Sequence, residues 1–279
     1  MFLLSDIVYW VIYRLVGYRK KVVRDNLRNS FPEKGEEELR RIERRFYRHL
    51  CDIFVEGIYN LVATKRSIMK RYRVTNPELV NRYYEEGRTV VLMSAHYNDW
   101  EYMITTLNSH FGHQGIGIGK PLENPRVEKW VFARRTRFGT QVVYADTVRQ
   151  EVDYYHRYGV PCALMMLSDQ TPSNTHRCYW TMFLHQETPF LYGAEHFARK
   201  YNYPVLYYRV DKVRRGRYTV SFSLLCENPA EVPQYWIEER YVRMLEADIR
   251  REPEYWLWSH RRWKHKRPED VVMSRVPES

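Results

Sequence analysis

Thr89 to Glu101 reads TVVLMSAHYNDWE, an apolar run that delivers His96 to a turn, with a glutamate five positions later. Val90, Val91, Leu92 and Met93 are too few for a helix and begin β-branched, so they read as a strand buried in a sheet. Open α/β sheets place their chemistry just past the ends of such strands. An imidazole titrates near neutrality, so His96 at that point is placed for proton transfer. The competing reading is local: Asn98 caps a helix with Glu101 as its capping-box partner, and His96 is a loop residue. A residue five positions on lies about 140° around an unbroken helix. Glu101 therefore meets His96 only if the histidine precedes the helix, with Asn98 or Asp99 as the cap. Asp99 is a second carboxylate that competes for the same role.

Outward from this stretch, strands alternate with helices. Residues 36–61 form a helix with Leu39, Ile42, Phe46, Leu50, Ile53 and Phe54 at helical spacing and a charged, solvated face. An extended entry at Val74, a short helix from Pro77 to Glu86 and a stop at Gly87 precede the Thr89 strand. Beyond it come a helix over 100–111, a strand over 115–119, a helix opened by Asn124-Pro125, a strand over 141–144 and a helix over 148–157. The strand 163–167 ends at Asp169, a helix covers 193–201, and strands 204–210 and 218–225 pair antiparallel across Arg214-Arg215-Gly216. The pattern predicts an α/β fold: a central mixed, mostly parallel sheet flanked by helices. No linker divides the chain and no repeat is present. Residues 1–30 stand apart as an apolar helix with a basic segment, and 31–279 form one domain.

Met1 to Val16 is apolar but carries Asp6 and Arg14, and at about 1.5 Å per residue it is shorter than the ~30 Å of a bilayer core. It lacks the layout of a secretory signal. Leu3, Ile7, Trp10, Val11 and Leu15, followed by Arg19, Lys20, Lys21, Arg24 and Arg28, fit an interfacial helix on an anionic leaflet. The alternative is a helix packed on the core. A net charge of +11 calls for an anionic partner: nucleic acid, a membrane surface or a phosphate-bearing substrate. Cys51, Cys162, Cys178 and Cys226 are widely spaced and read as reduced thiols in a cytoplasmic setting. The histidine pairs His110/His113 and His260/His265 lack convergent partners, so no metal site is expected. The tail Trp256 to Lys266, WLWSHRRWKHK, interleaves aromatic and basic residues as single-strand binders do. Packing of Trp256, Trp258 and Trp263 at a membrane interface is the more economical reading, and no nucleic-acid partner is expected.

His96-Tyr97-Asn98-Asp99-Trp100-Glu101 resembles the His-x4-Glu motif of the bacterial lipid A biosynthesis acyltransferases, the lauroyl and myristoyl transferase family within the lysophospholipid acyltransferase superfamily. The similarity continues through KPLENPRVEKWVFARRTRFGT from Lys120, LSDQTPS from Leu167, FLHQETPFLYGAEHFARKYNYPV from Phe183 and PEYWLWSHRRWKHKRP from Pro253. The segment Gly17 to Val23, with Asn26-Leu27 and Phe31-Pro32, is similar too, so nearly the whole chain is covered. Family members usually begin with a longer hydrophobic anchor.

The resemblance implies an acyltransferase of lipopolysaccharide biosynthesis at the cytoplasmic face of the bacterial inner membrane, peripheral or N-terminally anchored. Its donor would be an acyl carrier protein thioester and its acceptor a hydroxyl of a lipid A precursor, with no cofactor and no metal. His96 would be the general base, with Glu101 fixing its tautomer. The family's functional arginine matches Arg135, with Arg137 a second matching basic position; guanidinium binds phosphate bidentately. Arg134 reads as a surface residue with its head in solvent. Asp169, with Gln170 beside it, is expected at the site, ordering an arginine such as Arg135. Acylation of a lysophospholipid or another amphiphile, or a non-catalytic membrane or nucleic-acid binding protein, are the alternatives.

Overall fold

The computed structural model describes residues 1–274. The chain enters through helices: α1 (Phe2–Tyr9), continued by a π-helical segment (Trp10–Val16), then α2 (Lys20–Ser30), α3 (Glu36–Val62) and α4 (Lys65–Arg71). β1 (Tyr72–Val74) and α5 (Glu78–Glu85) lead to β2 (Val90–Ser94). The chain then alternates through α6 (Trp100–His110), β3 (Gln114–Gly119), α7 (Pro125–Thr136), β4 (Gln141–Tyr144), α8 (Val148–Arg157) and β5 (Cys162–Leu167). A hairpin of β6 (Tyr179–Phe183) and β7 (Gln186–Phe190), then α9 (Gly193–Tyr201), β8 (Val205–Arg214), β9 (Arg217–Cys226) and α10 (Trp236–Arg251) follow.

The main sheet has seven strands in the order β1-β9-β8-β2-β5-β3-β4. Every neighbouring pair is parallel except β8 with β9, the mixed, mostly parallel α/β sheet expected. All five residues of β2 are buried because each face of the strand has its own core. Val90 and Leu92 join Met103 and Leu107 of α6, whereas Val91 and Met93 join Ala198 of α9 and Leu245 of α10. The register sets Ser94 beside Leu167, so β2 and its neighbour β5 end level. From those ends the chain departs to opposite faces, toward α6 from β2 and toward α9 from β5. The diverging loops open a crevice at the carboxyl ends of the strands, the switch point where open sheets bind ligands.

Several elements depart from the expectation. α2, α4, the β6–β7 hairpin and α10 carry no strong signal, since their apolar positions sit among charges; in α10 Ile237, Tyr241, Val242, Leu245 and Ile249 are buried in the core. Phe54, expected to point inward, is 57% exposed. Trp256 and Trp258 pack in the core rather than at a membrane interface, because the tail folds back over the carboxyl end of the sheet. At the other end, Leu3, Ile7 and Trp10 are exposed while Ser5 is buried against α3 and Tyr9 packs on the core, so the first helix meets the domain through a mixed polar and aromatic side. Val23 and Leu27 share the sheet's core, which joins the N-terminal segment to the rest. The last five residues of the domain expected over 31–279 lie outside the described residues. No helix among the described residues is long and apolar enough to cross a membrane.

Candidate active site

β2 ends at Ser94, and the next turn carries His96 to the crevice. Asn98 takes the left-handed conformation (φ 53°), and its side chain donates to the Val210 carbonyl at 2.6 Å, which ties the turn to β8. Asp99, not Asn98, caps α6 by accepting from the Tyr102 N–H at 3.0 Å. The Asn98–Glu101 capping box is not formed, and His96 stands before the helix.

The carboxylate that meets His96 is neither Glu101 nor Asp99. Asp169, just past β5, accepts from His96 Nδ1 at 2.7 Å through Oδ1 and from the His96 backbone N–H at 3.0 Å through Oδ2. The indole Nε1 of Trp256 donates to the same Oδ2 at 2.9 Å. Burial alone would raise the Asp169 carboxyl; the imidazole's charge and the hydrogen bonds from His96 and Trp256 outweigh it and hold the group below its ordinary value. A carboxylate only accepts, so in the neutral imidazole Nδ1 carries the proton and Nε2 offers a lone pair. That lone pair faces the cavity and accepts from the Gln170 amide at 3.1 Å.

Glu101 does the work expected of Asp169. Its two oxygens hold Arg135, at 2.5 Å from Nη2 and 3.1 Å from Nε, and it also pairs with Arg134. Burial raises this carboxyl as well, yet the charges of Arg135 and Arg134 prevail and bring it down to about 2. Arg134, expected in solvent, is thus folded inward onto a buried anion. Glu101 touches His96 only through Trp100, whose Nε1 donates to Glu101 at 3.2 Å and whose ring stands edge-on to the imidazole at 4.9 Å. Arg137 lies away from the site: its guanidinium is spent on the Asn60 carbonyl and the Phe138 ring, tying α7 to α3.

His96, Trp100, Arg135 and Gln170 open on a cavity of about 480 Å³, a size suited to a small ligand or one chain of a larger one. Its wall is mainly apolar, including Ile104, Val142, Met165 and Phe197, and Lys120 stands at its exposed rim. Gly117 lets Ile104 lie close against the strand in that wall, since a Cβ there would collide with it. Two arginines about one glutamate leave net positive charge beside the cavity. The arrangement joins a proton acceptor, a cationic edge and an apolar chamber.

Sequence reasoning missed three parts of this site. Trp100 lay inside the quoted motif but carries no charge to attract notice. Trp256 was read for its surroundings in a basic tail. His260, whose Nε2 accepts from the Thr171 backbone N–H at 3.1 Å and so braces the loop after Asp169, looked scattered. Burial brings this imidazole down to about 4, which keeps it a neutral acceptor.

A histidine facing an apolar chamber, with cations at its edge, is an arrangement that suits acyl transfer. The chain belongs to the bacterial lipid A biosynthesis acyltransferase family, whose model matches residues 3–265. It is an acyltransferase acting on lipid A. No curated protein matches the chain.

Proposed function

We propose that the chain moves a fatty acyl group from an acyl carrier protein thioester to the hydroxyl of a 3-hydroxyacyl chain already attached to a lipid A precursor. In this reading His96 Nε2 takes the hydroxyl proton as the oxygen attacks the thioester carbonyl. Asp169 keeps the proton on Nδ1 and stabilises the imidazolium that forms. Collapse of the tetrahedral intermediate forms the ester and expels the carrier thiolate, which recovers the proton from His96. Gln170 keeps the place that the acceptor hydroxyl takes. The apolar chamber receives the acyl chain, and Arg135, held by Glu101, meets the acceptor's anionic groups together with Lys120. A net charge of +11 suits both an acidic carrier protein and an anionic leaflet, and family membership supports attachment at the cytoplasmic face of the inner membrane.

The observation that carries the proposal is the His96–Asp169 pair at 2.7 Å, opening on an apolar cavity. The test is an assay of purified protein with a panel of acyl carrier protein thioesters and two acceptors, a lipid A precursor and a lysophospholipid. Product on the lipid A precursor, reduced about 10²- to 10⁴-fold in His96→Ala, is the expected result. Product on the lysophospholipid alone would keep the base and move the acceptor. A His96→Ala protein as active as the parent would refute the mechanism.

A further inference from the structure

α3 has a second apolar face that the core does not use. Phe54, Ile58 and Val62 recur every four residues, which places them in one stripe along the helix, and they are 57%, 47% and 78% exposed. On one flank lies α1: Ser5 Oγ donates to Asp52 Oδ1 at 2.6 Å, and Arg215 pairs with Asp52 at 2.7 Å and Asp6 at 2.6 Å. These polar contacts turn Leu3, Ile7 and Trp10 outward, at 82%, 62% and 55% exposure. On the other flank lies α7, with Arg134 against Gly57 and Arg137 on the Asn60 carbonyl. The stripe is therefore the floor of one apolar surface between two helices. Scattered apolar side chains on a soluble surface need no explanation, but a continuous patch does.

The stripe runs directly into positive charge. Val62 is followed within a few residues by α4, and a groove of about 400 Å³ is lined by Arg66, Lys70, Arg73 and Arg217 with Met69. None of these four cations has a carboxylate within ion-pair distance among the described residues. Arg217 donates instead to the Lys70 carbonyl at 3.2 Å, which brings the β9 end against α4. Arg71 donates to the Gly216 carbonyl at 3.5 Å, and Phe2 of α1 lies against Gly216. The groove, the β8–β9 turn and α1 are thus one connected surface, apolar on one side and cationic on the other.

We propose that this surface seats the protein in an anionic phospholipid leaflet, with the α3 stripe and α1 in the acyl–headgroup boundary and the α4–β9 groove on lipid phosphates. Amphipathic elements bind membranes by this combination of buried apolar area and attraction to anionic headgroups. α7 borders the same surface, and the loop before it, Lys120 to Leu122, rims the catalytic cavity. An amphiphilic acceptor would then reach His96 while its other chains stay in lipid. The proposal rests on the membrane attachment put forward above and names the elements that make it.

Flotation with phosphatidylcholine vesicles, with and without phosphatidylglycerol, tests it. The parent should bind the anionic vesicles more tightly, and added salt should erase the difference. Arg66→Gln with Lys70→Gln should weaken binding to the anionic vesicles about 30-fold and leave binding to neutral ones unchanged. Ile58→Glu should weaken both. Thermal melts check that each variant is folded, and product formation from detergent-dispersed acceptor should be unaffected by the paired Gln substitutions. Unchanged affinity of that double variant for anionic vesicles would overturn the proposal. If it lost binding to acyl carrier protein instead, the groove would be a carrier dock. A parent that binds neither vesicle would refute the attachment itself, whereas a parent that binds vesicles yet makes no lipid A product would refute only the proposed reaction.

Discussion

Asp169 and Glu101 are two buried carboxylates, each held below its ordinary value and each next to the cavity, yet they are built for different tasks. Asp169 is surrounded by N–H groups of one imidazole, one indole and one backbone amide, and the group it bonds that can become a cation is His96. Glu101 sits between two guanidinium groups and never touches the imidazole. The difference teaches that the sequence spacing of an acid from a histidine says little about which acid serves it. Asp169 is the distant partner in sequence and the near one in space. An acid with only neutral donors can stabilise a charge that appears on its partner; an acid already neutralised by two arginines sets where those arginines stand.

Asp169→Asn should break that division most visibly. The amide would donate to Nδ1 and drive the imidazole proton to Nε2, where it blocks the acceptor hydroxyl; kcat should fall about 10³- to 10⁴-fold with the fold intact. Glu101→Gln removes the charge between Arg134 and Arg135 rather than the tautomer control. It should destabilise the protein by about 3 kcal/mol and raise KM for a phosphorylated acceptor more than it lowers kcat. The same residue gives a pH signature. Its folded value of about 2 lies below its ordinary 4.5, so its contribution to stability is complete above about pH 4.5 and is lost as pH falls toward 2. In Glu101→Gln, acid melts should show a shallower loss over that window. Trp256→Phe keeps an aromatic side chain at the buried position but deletes the hydrogen bond to Asp169, which should cost kcat about tenfold with little change in KM. The smallest effect belongs to Arg137→Ala: a loss of about 1 kcal/mol in stability and an unchanged KM for the acceptor, because its guanidinium faces α3.

Most of the sheet was legible because each strand is a short apolar run between turn residues, and Thr89 to Glu101 placed His96 past a strand end correctly. The elements that escaped, such as α10 and the β6–β7 hairpin, owe their positions to partners elsewhere in the chain. Within the site, His96, Glu101, Arg135, Asp169 and Gln170 do converge, but who bonds whom depends on the β2–β5 register, which no local pattern encodes. Arg134 shows the same limit. Neighbouring arginines on one helix look alike until a buried anion selects among them. Trp256 was misplaced because aromatic residues among basic ones fit an interface as well as a core, and only the return of the tail over the sheet decides.

That return also orders events in time. Trp256 bridges to Tyr97 and bonds Asp169, so the acid beside His96 gains its last donor from a residue made long after the sheet strands β2 and β5. A ribosome-bound chain that has folded its central strands still lacks this clasp. Full acyl-transfer competence should therefore arise late in synthesis, when the tail docks, so that partly made chains hold His96 and Asp169 together without the clasp that completes the carboxylate's donors.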